Sequence, residues 1–214
     1  MSYCHGVGKV NRASPPGPRD AHTVQFFDLV ETLGVSVGRF VHENMLAGRV
    51  TLLVARPTTI AAISGALRPR DVSLQDLIDA GRVVVQDAAT LLRSFADHRG
   101  PQAAKFEATV APVVARLAGD SPGGLAIYGE MVDLFASEGN FEAAEALERL
   151  WNDLAQKVPF RLLCGYAAAH FAASQSVRSH LRCICDLHSD VQRDQADLLA
   201  DWLLNSVSSS AGEA

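Results

Sequence analysis

The sequence predicts an α/β protein with a mostly parallel central sheet of about five strands and helices on both faces. Three observations predict it. Strand-like and helix-like segments alternate along the chain, the order that generates parallel sheets. The strand segments, such as Val50-Thr51-Leu52-Leu53-Val54-Ala55, are continuous apolar runs, as expected of strands covered on both faces. Glycines and helix-capping residues punctuate the boundaries.

The first strand is expected at Thr23–Phe27, rich in β-branched and aromatic residues. A helix follows with Leu33, Val37, Phe40 and Val41 on one stripe, closed by Gly48. After the Val50–Ala55 strand comes a helix over Pro57–Leu67, then a short helix capped by Ser73 and ended by Gly81. Arg82–Gln86 is the third strand. Two helices separated by Gly100-Pro101 follow, and Pro112 should break the second near Ala111. The turn at Asp120–Gly124 leads to a strand at Leu125–Tyr128. Asn140 caps an amphipathic helix whose buried face is Leu147, Leu150, Trp151 and Leu154, with Glu142, Glu145 and Arg149 toward water. Phe160–Tyr166 is the fifth strand, and a long helix is expected over roughly Ser174–Leu204, with Leu181, Ile184, Leu187 or His188, Val191, Leu198 and Trp202 on its apolar side.

The composition narrows the function. The chain has 214 residues, enough for a sizeable core, and a net charge of −5, which disfavours a general nucleic-acid surface. No apolar run is long enough to span a bilayer, and residues 1–20, with their Ser14-Pro15-Pro16-Gly17-Pro18 stretch, read as a flexible tail without a secretory core. The abundance of Arg over Lys resembles a GC-rich bacterial coding bias. Four cysteines at irregular spacing do not form a disulfide framework, and reduced thiols in the cytoplasm are the simplest expectation. The phosphate-cradling G-x-x-x-x-G-K-[ST] pattern is absent; Gly6-Val7-Gly8-Lys9 follows no strand.

Four motifs in order carry a family resemblance: His22-x-x-Gln25-Phe26-Phe27-Asp28, Gly129-Glu130-Met131-Val132, Leu150-Trp151-Asn152-Asp153-Leu154, and Leu163-Cys164-x-Tyr166. Over residues 21–172 the chain resembles the MEDS domain, a sensory domain of methanogens, methylotrophs and the dichloromethane regulator. The resemblance implies a degenerate KaiC/RecA-like fold used as a ligand sensor, without turnover or cofactor, that signals through a separate kinase, anti-sigma factor or transcriptional regulator. It puts Asp28-Leu29-Val30-Glu31-Thr32 where an ATPase carries its phosphate loop. Two carboxylates there, Asp28 and Glu31, would repel phosphates. Residues 173–205 are expected to form a helical extension that packs on its own sheet, pairs two copies, or docks a partner, and 206–214 a disordered tail.

In open parallel sheets ligands bind beyond the carboxyl ends of the strands. That edge is expected to present Phe27, Asp28, Gln86, Asp87, Glu130, Met131 and Tyr166, and the family motifs add His22, Gln25, Trp151, Asn152 and Cys164 to the expected ligand set. Each has a structural alternative. Glu130 serves equally as a carboxylate bonded to backbone N–H groups, His22 as a strand cap, Trp151 as a core anchor, and Cys164 as an inert buried thiol. Cys183-x-Cys185-x-x-His188, with Cys164, His170 or His180 as a fourth donor, has metal-ligand residue types. On a helix, however, positions 183 and 185 diverge, so no metal site is assigned to them. The main reading is a non-catalytic small-molecule sensor. The alternatives are an enzyme using Glu130 with His22 as an acid–base pair, or Cys164 as nucleophile, and a ligand-free adaptor.

Overall fold

In the computed structural model, residues 21–172 and 175–193 are described. Expectations for the 1–20 tail, for the chain beyond 193 and for the glycine-lysine stretch near the start lie outside them. Strands β1 (His22–Phe27), β2 (Val50–Ala55) and β3 (Val83–Asp87) are linked by helices α1 (Val30–Leu46), α2 (Pro57–Leu67) and α3 (Leu74–Asp79). Helix α4 (Ala88–Phe95) leads into a short antiparallel pair, β4 (Ala96–Asp97) and β5 (Gly100–Pro101), then α5 (Ala103–Thr109) and α6 (Ala111–Gly119). Strand β6 (Leu125–Gly129), α7 (Met131–Ser137), α8 (Phe141–Ala155), β7 (Phe160–Ala167), α9 (Gln175–Asp186) and β8 (Asp190–Arg193) complete the described chain.

The main sheet has six strands in the order β3-β2-β6-β7-β1-β8, and every pairing in it is parallel. The chain runs β1 to β2 to β3 in one direction, then β6, β7 and β8 back in the other. Right-handed crossovers then require opposite faces for the two runs. The two buried clusters follow this division. Phe27, Leu33, Val37, Ile63 and Leu74 pack beneath α1–α3. Val24, Phe26, Phe95, Phe106, Leu147, Trp151 and Ile184 pack beneath α4–α9. Period-two alternation therefore turns His22, Val24 and Phe26 toward the second face, and Thr23, Gln25 and Phe27 toward the first.

Most local signals hold. Ser73 Oγ accepts from the Asp76 N–H, and Asn140 Oδ1 accepts from the Ala143 N–H, each 3.2 Å away. Pro112 lies in the first turn of α6, where its missing N–H costs nothing, and the helix breaks at Val110. Gly48, at φ 74°, closes α1.

Three expectations need correction. The sheet has a sixth strand, because the expected long C-terminal helix ends at Asp186. After Leu187-His188-Ser189 the chain extends as β8 along β1, placing Val191 beside Val24. Gly100-Pro101 pairs with Ala96-Asp97 in addition to separating helices. On α8, Glu145 is buried, not solvated, and Leu150 is only partly buried, because α9 packs along that side.

Helices α1 and α2 meet through small residues. A Cβ added at Gly34 would lie 2.6 Å from Ala62 Cβ, whereas one at Gly65, on the exposed side of α2, meets nothing within 4 Å. Gly34→Ala should therefore cost about 1–3 kcal/mol by overpacking, and Gly65→Ala should add about 0.5–1 kcal/mol by restoring helix propensity. Urea unfolding of the two variants checks the opposite signs.

Candidate functional site

The reversal in strand order falls between β2 and β6, so the ligand crevice of an open parallel sheet should lie past Ala55 and Gly129. The protein's own side chains occupy it. Glu130 is fully buried, and its carboxylate accepts from the Arg56 N–H at 2.7 Å and from Tyr128 Oη at 2.9 Å. The Arg56 guanidinium lies 3.6 Å from Glu130 and 2.6 Å from Asp133. Asp133 also accepts from the Ala167 N–H, with His170 Nε2 3.2 Å away. Tyr128 reaches Glu130 over Gly165, where an added Cβ would lie 2.7 Å from the hydroxyl. Burial raises the pKa of Glu130, against the hydrogen bonds of Thr59 and Arg56 that favour its charge. The bland alternative, a carboxylate tied to backbone and neighbours, is what this geometry presents.

A second polar cluster sits where no sheet-edge argument looks, inside the apolar layer beneath α8 and α9. Its centre is Glu148, wholly buried on α8. One oxygen of Glu148 accepts from Tyr166 Oη at 2.9 Å and faces His188 Nε2 at 3.4 Å. The other accepts from the Cys164 thiol at 3.3 Å and faces His22 Nε2 at 3.2 Å. His22 Nε2 and Cys164 Sγ are 3.4 Å apart, and the two imidazole rings are tilted against each other at 4.0 Å.

The outer ring nitrogens are anchored. Asn152 donates its amide to the Leu187 carbonyl at 3.0 Å, which leaves its Oδ1 to accept from His22 Nδ1 at 2.8 Å. His188 Nδ1 donates to the Ile184 carbonyl. His188 Nε2 is buried without a well-formed hydrogen bond. Burial opposes the charge of Glu148, but His188 and His22 outweigh it and hold the carboxyl well below the usual carboxylate range. His188 is shifted in the complementary direction: burial works against its charge, and Glu148 prevails and raises its pKa. Burial, then Glu148, pushes the Cys164 thiol well above its ordinary value.

The structure thus brings together four of the expected ligand residues, His22, Asn152, Cys164 and Tyr166, and adds Glu148 and His188. His22 bonds to this cluster and not to Glu130. Trp151, edge-on to Phe106 at 5.2 Å and to Phe160 at 6.0 Å, is a core anchor. Met131 and Phe27 are core residues on opposite faces. Gln25 is buried with its Oε1 unpaired, while Asp28 is exposed. Asp87 caps α4 through the Thr90 N–H at 2.8 Å. Of the Cys183/Cys185/His188 trio, only His188 reaches the cluster, and its side chain is fully buried. Cys183 lies on α9 against Glu145, as does His180, and His170 belongs to the crevice. Sequence reasoning missed Glu148. Its signal was position: it lies three residues before Trp151 and four before Asn152, inside the apolar stripe of α8.

The family model for MEDS, the methanogen/methylotroph, DcmR sensory domain, matches residues 21–188. The chain belongs to this family. The match runs past the expected end at residue 172 to include His188. No curated protein is similar enough to the chain to match it.

Two consequences are measurable. Trp151→Ala should cost about 3–5 kcal/mol in urea unfolding, as expected for a core residue. A ligand contact on the surface would cost far less. For Glu130 the raised folded pKa means that the fold retains a proton that the unfolded chain releases, so its contribution is fully present below about pH 4.5 and is lost as pH rises through the folded pKa. The melting temperature of the native protein relative to Glu130→Gln should therefore fall as pH rises above 4.5. A flat difference would contradict the assignment.

Proposed function

We propose that this member of the MEDS family is a non-catalytic sensor whose responsive element is the Glu148 cluster, and that it relays the state of that cluster to a separate output protein such as a kinase, an anti-sigma factor or a transcriptional regulator. One observation carries the reading. The cluster is the polar junction between the rigid sheet and the α9–β8 segment. His188 and Leu187 come from the α9–β8 link, and both are tied to α8, through Glu148 and Asn152. Next to them Ser189 exchanges hydrogen bonds with the His22 backbone at 2.8–3.0 Å. A change of charge or ligand at the cluster therefore acts on whether β8 stays on the sheet, a two-state element of the kind a signal needs.

This relocates the sensing element from the strand ends to the interior of one sheet face. The acid–base alternative gains no support, since His22 and Glu130 engage different networks. A buried thiol with a raised pKa is likewise a poor nucleophile. A loosely held small organic effector and a more tightly held ligand within the cluster both fit the sensory reading. The related degenerate ATPase fold remains part of it as an expectation. No helix among the described residues is long and apolar enough to cross a membrane.

Hydrogen exchange tests the coupling. Asn152→Ala removes the anchor of both His22 and Leu187. It should speed amide exchange at Leu187–Arg193 by about tenfold or more, as loss of one hydrogen-bond pair predicts, while β2 and β6 stay protected. Unchanged exchange in that segment, or acceleration spread evenly over the whole sheet, would remove the proposed relay.

A further inference from the structure

We propose that His22, Glu148, Cys164 and His188 form a four-donor site for a divalent transition-metal ion of the zinc type. The inference rests on the sensory reading only for its consequence, and on geometry for the site itself. One ligand atom from each residue lies within 4.8 Å of all the others, and the two histidines, the carboxylate and the thiol come from four different elements or links. Donors held about 2.0–2.3 Å from a tetrahedral ion are about 3.3–3.7 Å from one another. The separations here are 3.4 Å for His22 Nε2–Cys164 Sγ, 3.2 and 3.3 Å from those two atoms to Oε2 of Glu148, and 3.4 Å from His188 Nε2 to its Oε1, so the carboxylate would meet the ion through either oxygen or both.

The outer contacts favour the same reading. Metal-binding histidines donate their second ring N–H to a carbonyl or carboxylate, which fixes the tautomer and aims the other nitrogen inward. Both histidines do this at Nδ1, His22 to Asn152 Oδ1 and His188 to the Ile184 carbonyl. Their Nε2 atoms converge on the cluster. His188 Nε2 is moreover buried and lacks a well-formed hydrogen bond, although such groups are rarely left so. Tyr166 Oη holds the Glu148 oxygen that faces His188.

The charges close as well. A dication, one carboxylate, one thiolate and two neutral imidazoles sum to zero, the cheapest state for a site surrounded by apolar residues. Binding replaces protons with the ion: the Cys164 S–H proton and any proton on the imidazoles go to solvent, with no change in oxidation state. The mixed nitrogen, sulfur and oxygen set suits zinc, and disfavours magnesium or calcium, which require oxygen ligands. An ion here would bolt the α9–β8 link to β1, β7 and α8 at once.

The test uses the full chain, stripped with chelator under reducing conditions and titrated with Co2+ and then Zn2+. One Co2+ per chain is expected, with tetrahedral visible bands and a thiolate charge-transfer band, all displaced by Zn2+. Cys164→Ser should abolish the charge-transfer band, and His188→Gln should weaken Co2+ binding at least tenfold. Cys185→Ser should leave both unchanged. If the ligand variants fail to fold, X-ray absorption of the zinc-loaded native chain should show one sulfur among light-atom ligands. No uptake by the folded native protein, a zinc shell without that sulfur, or a cobalt signature that survives Cys164→Ser but not Cys185→Ser would each overturn the site. Zinc uptake without altered exchange at Leu187–Arg193 would leave the site standing and refute the relay. Altered exchange in Asn152→Ala without metal uptake would do the reverse.

Discussion

Glu148 is the residue on which the second face of this sheet depends. A carboxylate in an apolar layer is sustained only if its charge is met on all sides, and removing a partner from such a network costs about 3–5 kcal/mol. Here the partners come from β1, β7 and the α9–β8 link. The need to satisfy one buried charge thus dictates where three chain segments lie relative to α8. The surrounding layer of Trp151, Phe106, Phe160 and Phe171 supplies the burial that makes the need acute.

The crevice at the strand ends is organised by the same physics toward a different end. Arg56 bridges Glu130 and Asp133, and these acids accept the backbone N–H that follows β2 and the one that ends β7. In a nucleotide-binding relative of this architecture, that position would be left open to a ligand. Here the ends of the strands are stitched to one another. The helix that follows β1 begins at Val30 with Glu31 in its first turn, a charge that opposes phosphate there.

Much of the fold was legible because each signal was local. The apolar run at Val50–Ala55, the Ser73 and Asn140 caps, and Pro112 act within a few residues of themselves. Strand β8 was not legible. Asp190-Val191-Gln192-Arg193 carries no β-rich run, and a helical stripe extends through Leu181 and Ile184 up to its start. It becomes a strand because β1 offers unpaired backbone groups and His188 is drawn inward, both tertiary effects. The site divided in the same way. His22, Asn152, Cys164 and Tyr166 stood out because each lies in one of the four family motifs. Glu148 was hidden among the charged residues of a helix whose water-facing side resembles it in composition. Glu130 has the position of a ligand residue, but its carboxylate already accepts from Arg56, Tyr128 and Thr59.

Strand β8 also gives the sheet its boundary. While it is seated, β1 is an interior strand with both backbone edges paired, and the described rim is β8, which opens on the exposed Asp190. A charged side chain on a rim discourages other chains from adding themselves to a sheet. Were β8 to leave, the rim would become Thr23-Val24-Gln25-Phe26, an apolar strand already held flat and in register by β7. The molecule would then present a ready template for an incoming strand, so that the same departure that loosens the C-terminal segment would create a place for another chain to pair.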